Sequence, residues 1–542
     1  MAGVVSAGHE KTAAAGQIVL QAGGNAFDAA VAAVFAACVV EPSLTSLGGG
    51  GFLLAHTAMP QGKVGRNILF DFFTQTPGSR GDCIEPNFYP VEADFGDSVQ
   101  EFHVGMGSIA VPGVFAGLLK VHKRLGRLPL KQVAEPAVGF ARAGVRVTDF
   151  QAYCYQLLDP ILMGTVRSRE IYAPEGTRLQ RGEVLRMTEF SDTLEHLAAL
   201  GDEAALKVFY EGEIAEQMVR DCREGGGYLS LDDLKGYEVI ERSPLSINYR
   251  GVQMLTNPPP SAGGSLIAFC LELLDRFDLS GMKHGSAEHL TLLSQAMRWT
   301  NEARRQHLDD RLFEGAISPR EGYAIAQKFT ASDLVDKYAG PIAEIMNSPL
   351  NRWGSTTHVS VMDDEGNAAS VTTSNGEGSS YVIPGTQIML NNMLGEEDLN
   401  PSGFNRWPSN QRMSSMMAPT MILKDDKPQL ALGSGGSNRI RTAILQVVSN
   451  IVDFGMPLAE AVAAPRIHWE NGAFHLEPGY SESGYSKAEM APAKSEFLGT
   501  DRVVHWQQSN MFFGGVHSVG LDAKGDLTGA GDFRRSGAVA NA

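Results

Sequence analysis

The sequence has few of the residues and patterns that mark the commonest functional architectures. Of 542 residues only five are cysteine: Cys38, Cys83, Cys154, Cys222 and Cys270. No two are spaced as CxxC and their number is odd, which argues against a disulfide framework and a cysteine zinc site. HExxH is missing as well, so no metal and no other cofactor is expected. GxSxG, a Walker A loop, GxGxxG and a partnered SxxK pattern do not occur, which turns attention to less common nucleophiles. Long apolar runs are missing too: the longest, 29–40, spans twelve residues, too short to cross a bilayer, and reads as a buried helix. The opening Met-Ala-Gly-Val-Val-Ser-Ala-Gly-His-Glu shows no basic n-region and no apolar h-region. With no signal peptide visible, the expected compartment is cytoplasmic, or periplasmic or secreted if a leader has been removed.

What is present is ordinary globular material, 43% hydrophobic and 20% charged, which excludes wholesale disorder and fibrous architectures. The 45 basic residues face 62 acidic ones, a formal charge of −17. A field of that sign repels phosphates, so neither nucleic acid nor an anionic membrane surface is an expected partner. The length suggests three or four units at roughly 150 residues each, unless one large α/β enzyme absorbs them all.

Two helices are expected at the start, over 9–22 and 28–40, separated by Gly23-Gly24-Asn25. The glycines of 48–51 precede an apolar strand at 52–55 and let backbone approach backbone closely. A second strand is expected at 68–73. From 114 to about 345 the pattern is mostly helical, broken at 257–264 by a Pro- and Gly-rich loop that opens an apolar helix at 266–274. After about 355 short strands dominate. Hairpins are expected at 356–362 with 368–374, at 420–423 with 429–432, and at 516–521 with 527–530. A helix over 438–454 holds Ile440, Ile444, Val447, Val448 and Ile451 at helical spacing. The whole suggests an α/β body with helical layers enclosing sheet.

The most informative segment is Gly354-Ser355-Thr356-Thr357-His358-Val359-Ser360-Val361. A Thr-Thr pair in a strand is by itself structural, since Thr is a good strand former. Its hairpin, however, pivots on Glu365, and pairing about that centre places Ser374 opposite Thr356. Arg412-Met413-Ser414-Ser415-Met416 is a second polar cluster. Gly433-Ser434-Gly435-Gly436-Ser437 is a third, directly before a helix whose free N–H groups suit a developing oxyanion.

With these motifs in view, the chain resembles the γ-glutamyltranspeptidases (glutathione hydrolases) of the N-terminal-nucleophile hydrolase superfamily. The resemblance rests on Gly23-Gly24-Asn25-Ala26-Phe27-Asp28-Ala29-Ala30, the run 47–52, Ala110-Val111-Pro112-Gly113, and 258–264. Thr356-Thr357-His358, Leu390-Asn391-Asn392, Ser414-Ser415-Met416 and 433–440 follow in the same order. It implies a four-layer αββα sandwich and a proenzyme that cuts itself between Ser355 and Thr356. One αββα catalytic unit then consists of a large subunit, 1–355, and a small subunit, 356–542. The freed α-amine of Thr356, with a reference pKa of about 7.7–8.0, acts as base to its own hydroxyl. Transfer of the γ-glutamyl group of a compound such as glutathione to water or an amine follows from an acyl-enzyme. By family position Ser374 bonds the nucleophile, Gly436 and Ser437 form the oxyanion hole, and Asn375, Glu396, Ser414 and Ser415 contact the donor. The partners implied are a small-molecule amide and the heterodimer of the self-cut chains. Ala- and Gly-rich helical surfaces are also compatible with a homodimer.

Three departures bear on the substrate. Phe73 stands where the family has a carboxylate-clamping arginine, a contact worth about 1.5–3 kcal/mol. Glu396 replaces the family aspartate, and Met393 a glutamine. The segment 397–411 is short beside relatives that carry a lid. A more open, more apolar pocket is the expectation. Two alternatives accompany the main reading: an amidohydrolase or acylase of the same fold acting on an oxamate- or cephalosporin-type amide, and an inactive member serving as a binding or scaffold protein.

Overall fold

Period-two alternation in the last third of the chain, added to short strands drawn from the rest, builds two antiparallel sheets. The computed structural model describes residues 2–58, 65–79, 85–94, 99–313, 315–339, 356–400, 403–470, 472–480 and 502–542. The first sheet runs, edge to edge, through Ala538–Asn541, Gly3–Ala7, Thr357–Asp363, Ala368–Ser374, Gly50–Thr57, Arg66–Phe72 and Ile240–Arg242. The second runs through Leu527–Ala530, Gly515–Leu521, Lys427–Gly435, Thr420–Lys424, Val252–Thr256 and Leu245–Tyr249. They stack face to face. Glu10–Gln21 and Ala26–Val40 cover the outer face of the first, and Ala262–Leu274 and Arg439–Val452 that of the second. This is the expected four-layer αββα sandwich.

The helix Ala26–Val40 shows why the sequence folds this way. Gly23 at φ +93° ends the preceding helix, a conformation L side chains avoid. Asn25 Oδ1 then accepts from the N–H groups of Phe27 and Asp28, both at 3.0 Å, and Asp28 Oδ2 accepts from Asn25 N–H at 3.0 Å. This capping box satisfies donors that a buried helix end cannot leave open. Every residue of the helix is buried, and its alanines let it lie close between the sheet and the helix Leu130–Ala143.

Two parts of the fold differ from expectation. The strands Leu245–Tyr249 and Val252–Thr256 fall inside the stretch read as mostly helical, joined by a turn with Arg250 at φ +50° and Gly251 at φ +83°. The terminal strands Gly3–Ala7 and Ala538–Asn541 also escape the periodicity, being too short to show one. Gly3–Ala7 pairs with Thr357–Asp363, as in Val5 opposite Val361, and so supports the strand that follows Thr356. Among the described residues, no helix is long and apolar enough to cross a membrane.

Candidate active site

The hairpin forms with the register its turn dictates. Thr357 pairs with Thr373, His358 with Thr372 and Met362 with Ala368, which continues to Thr356 opposite Ser374. Residues 356, 358, 360, 370, 372 and 374 point towards the second sheet. There the buried His358 ring meets Thr372 Oγ1 at 2.7 Å and Ser360 Oγ at 2.9 Å. Burial, and then the neighbouring His517, hold this imidazole well below its ordinary pKa, so it is neutral. Gly433 makes the close sheet approach feasible, since a Cβ there would stand 2.3 Å from the ring.

The other motifs act as staples around this sheet end. A Cβ on Gly49 would lie 2.2 Å from the Ser374 carbonyl oxygen, so the glycine run is what lets the two segments touch. Gly113 N–H donates to Gly49 C=O at 2.8 Å and brings in the Ala110-Val111-Pro112-Gly113 turn. Asn391 Nδ2 ties the carbonyls of Gly48 and Ala110 at 2.8 and 2.9 Å. Ser261 Oγ and Ala262 N–H donate to Ser415 C=O at 2.9 and 2.8 Å, which anchors the serine pair to the Pro-rich loop.

One cavity gathers most of the expected residues. Thr356, Ser374, Glu396, Ser415 and Ser437 supply its polar wall, together with Asp398. Phe73, Met393, Leu399, Met416, Met417 and Ile440 supply the apolar wall. No Lys or Arg is among these residues. Ser414 faces an adjoining cavity with Leu399, Trp407 and Met413. Gly436 lies beside Ser437 in the loop. Asn375 is elsewhere: buried, it turns its amide towards Leu390 C=O at 3.4 Å and does not line the cavity. Ser355 lies outside the described residues.

The loop before the helix Arg439–Val452 carries local strain. Gly436 has φ +122° and Ser437 φ +48°; the second lies where a non-glycine residue costs of order 1 kcal/mol. Ser437 Oγ donates to Asp398 Oδ2 at 2.8 Å and Asn438 Nδ2 to the same oxygen at 3.2 Å, which offsets that cost. The segment after Glu396 is thereby latched to the loop. The first helical bonds, from Arg439 N–H to Gly436 C=O at 2.9 Å and Ile440 N–H to Ser437 C=O at 3.0 Å, orient the preceding turn so that its N–H groups form a helix N-terminus.

Phe73 is held in place of any cation. Its carbonyl accepts from Tyr237 Oη at 2.7 Å and from Arg412 Nη1, and its ring stacks on Phe52 at 5.5 Å. Arg412 is buried, lines the adjoining cavity that Ser414 faces, and is engaged also with Tyr237 and Glu238 C=O. Asp71, two residues earlier, is fully buried in an ion pair with Arg242 at 2.8 Å.

Three carboxyl groups of the site escape sequence reasoning. Glu377 lies against Glu396; burial, and then that neighbour, hold the Glu396 carboxyl well above the usual range. Asp398 is the latch. Glu41, at the end of Ala26–Val40, accepts from Thr12 Oγ1 at 2.8 Å and Thr357 Oγ1 at 2.9 Å, and burial pushes it up to about 7. A signal for Glu377 did exist, because it stands between Gly376 at φ +61° and Gly378 at φ +89°, a turn built to fold a carboxylate inward. Among the described residues, no group of three His, Cys, Asp or Glu side chains is placed to hold a metal ion.

Solved structures with this architecture extend the picture. The cephalosporin acylase from Bacillus halodurans superposes with a TM-score of 0.82 at 25% identity, covering 99% of this chain and 95% of that one. The Helicobacter pylori gamma-glutamyltranspeptidase covers 63% of this chain and 92% of its own, with a TM-score of 0.52 and 26% identity. The fold, with a hydroxyl residue opening a central strand, is that of the N-terminal-nucleophile hydrolases, a class of enzymes. More narrowly, the chain belongs to the gamma-glutamyltranspeptidase family, whose profile matches residues 12–542. It is 32% identical to the glutathione hydrolase proenzyme of Escherichia coli (strain K12), over 95% of this chain and 87% of that protein. It is 31% identical to the Acylase ACY 1 proenzyme of Pseudomonas sp. (strain V22), over 99% of this chain and 92% of that protein.

Proposed function

We propose that the chain is a proenzyme that cuts itself between Ser355 and Thr356 and then transfers the acyl group of a γ-glutamyl amide, such as glutathione, to water or an amine. The observation that carries this reading is the single cavity shared by Thr356, Ser374, Ser415, Glu396 and Ser437. In it the Thr356 hydroxyl attacks the amide carbonyl while the freed α-amine takes its proton. The Ser374 hydroxyl orients the attacking oxygen. The N–H groups of Gly436 and Ser437 stabilise the oxyanion, aided by the helix they precede. Ser414, Ser415 and Glu396 hold the donor's head group. Residues 1–355 and 356–542 remain associated as the two chains of one catalytic unit, because each sheet is built from strands of both.

A second reading draws on the apolar wall. Phe73 and Met393 face a cavity whose lining offers no cation, which favours an N-acyl amide without a free amino-acid head, in keeping with the acylase relatives. Parallel assays of γ-glutamyl-p-nitroanilide, glutathione and simple N-acyl amides separate the two. Turnover of the N-acyl amides alone rejects γ-glutamyl specificity.

Self-cutting is tested by denaturing electrophoresis. The 58.2 kDa chain should yield bands of about 38 and about 20 kDa, in proportion to length, the smaller beginning Thr-Thr-His-Val. Thr356→Ala should give one band and no turnover. A wild-type chain that stays whole yet turns over substrate would overturn the reading.

A further inference from the structure

The acyl-transfer steps leave one buried cation beside the nucleophile unused. Arg535 lies in the short 3-10 turn Phe533–Arg535 and is 3% exposed. Asp532 fixes that turn by accepting from Val516 N–H at 2.8 Å and from Arg534 N–H at 3.0 Å. From there the Arg535 side chain runs inward over Gly515, where a Cβ would stand 2.4 Å from its Cδ. Its guanidinium ends against Gly435 and Gly436, where added Cβ atoms would lie 3.1 and 3.3 Å from Nη1 and Nη2. Three glycines thus leave the room this side chain fills. At the end of the path Nη1 donates to the Thr356 carbonyl at 3.2 Å. That carbonyl belongs to the same residue as the α-nitrogen, so by bond lengths alone the cation lies within about 7 Å of the amine.

We propose that Arg535 is a positioning residue for Thr356: it fixes the nucleophile's carbonyl, and its buried positive charge opposes a second positive charge on the freed α-amine, so that the amine remains an unprotonated base to lower pH than an ordinary chain terminus. The inference rests on the reading of Thr356 as an N-terminal nucleophile.

The surrounding charges favour this effect on the acid side. Burial lowers Arg535 only to about 10, so it is a cation wherever the enzyme works. Glu41, bonded to the next residue through Thr357 Oγ1, is one opposing group. Being pushed up to about 7, it is protonated at acid pH and does not cancel the arginine there. His358, on the same strand face as Thr356, is neutral. In the cavity Glu396 is held well above the usual range, and Asp398 is engaged by Ser437 and Asn438. Asp532, Arg439 and the un-ionised Cys154 thiol act on Arg535 itself.

Arg535→Gln keeps an N–H donor and removes the charge, whereas Arg535→Lys keeps the charge. The measurement is kcat/KM from pH 5 to 9 with whichever amide the wild type turns over, with electrophoresis of the same samples. In Arg535→Gln the acid limb should move up by roughly one pH unit, so that activity below the limb falls about tenfold. In Arg535→Lys the limb should stay within a few tenths of the wild type. A wild-type limb in Arg535→Gln overturns the proposal, and so does a Lys variant shifted as far as the Gln variant. If Arg535→Gln does not fold, the wild type decides alone, by titrating the Thr356 amine through its rate of labelling with an amine-reactive reagent. A value below about 7.7–8.0 supports the proposal and one at or above that range overturns it. A wild type with no chain beginning at Thr356 defeats the parent reading. A wild type that is cut and active with an ordinary amine defeats this inference alone.

Discussion

The two faces of the hairpin 357–374 are made from the same strands and do different work. Towards the helix Ala26–Val40 it presents Val359, Val361, Ala369 and Val371, all packed in one apolar core. Towards the second sheet it presents Thr356, His358, Ser360, Ser370, Thr372 and Ser374, a buried column of hydroxyls around a neutral imidazole. The first face follows ordinary burial energetics, about 25 cal/mol per Å² of apolar surface. The second buries polar groups and needs partners for each, which the facing carbonyls supply, as where Ser370 Oγ donates to Leu432 C=O at 2.9 Å. A strand with two buried faces therefore carries an apolar core on one and a hydrogen-bonded polar column on the other. The boundary between them runs between Thr356 and Thr357.

The largest way to set the faces apart is pH. On the helix side Glu41 has its pKa raised from 4.5 to about 7. Its stabilising share is complete below 4.5 and lost as pH rises through about 7. On the sheet side His358 is held well below 6.5 and His517 is pushed down to about 4. Their share is complete above 6.5 and lost as pH falls towards 4. In urea unfolding of the uncut Thr356→Ala chain, adding Glu41→Gln should remove the loss on the alkaline side. Between pH 4.5 and 7.5 the stability difference between the two chains should change by on the order of 3 kcal/mol. A difference that stays flat with pH would show that Glu41 ionises normally.

The second effect comes from spacing. Gly433→Ala drives a methyl into the His358 ring, where its Cβ would stand 2.3 Å away, and should cost about 1–3 kcal/mol. Val371→Ala on the other face should cost a similar amount through the cavity it leaves. The two separate in kinetics. Gly433→Ala should also slow turnover, because it moves the sheet that carries Gly435 and Gly436, whereas Val371→Ala should leave kcat within about twofold at a permissive temperature. Equal kcat values in the two variants would mean that the sheet spacing does not reach the site.

Much of this arrangement could be read in advance, for identifiable reasons. The turn Asp363-Asp364-Glu365-Gly366-Asn367 and a period of two leave a single centre for the hairpin, so Ser374 opposite Thr356 follows from arithmetic. The glycines at 48–51 announce a close approach, and the structure supplies its object, the Ser374 carbonyl. Contacts set only by the closed fold could not be read. Glu377 meets Glu396 because Asn392 Oδ1 accepts from the N–H groups of Glu377 and Gly378 at 2.9 and 3.2 Å and folds the loop back. Arg535 reaches Thr356 from 179 residues away. Asn375 is a further case: a polar residue in a polar loop suggests a ligand contact, and in the structure its amide faces a backbone carbonyl of the loop wall.

The finest distinction lies between adjacent residues. Ser374 and Thr373 are neighbours on one strand, both buried and both hydrogen-bonded, but they point to opposite faces. Thr373 Oγ1 accepts from Thr45 Oγ1 at 2.8 Å on the helix side, while the Ser374 hydroxyl faces the cavity with Thr356. Removing either hydroxyl removes one buried hydrogen bond, worth about 0.5–1.5 kcal/mol. For Thr373→Ala that loss should be read as stability, with kcat/KM within about twofold of wild type. For Ser374→Ala, whose hydroxyl accepts from Gly376 N–H at 3.0 Å, a similar stability loss should be joined by a fall of roughly tenfold in kcat. Should Thr373→Ala slow catalysis as much as Ser374→Ala, the two faces are coupled through the strand and the division of labour between them fails.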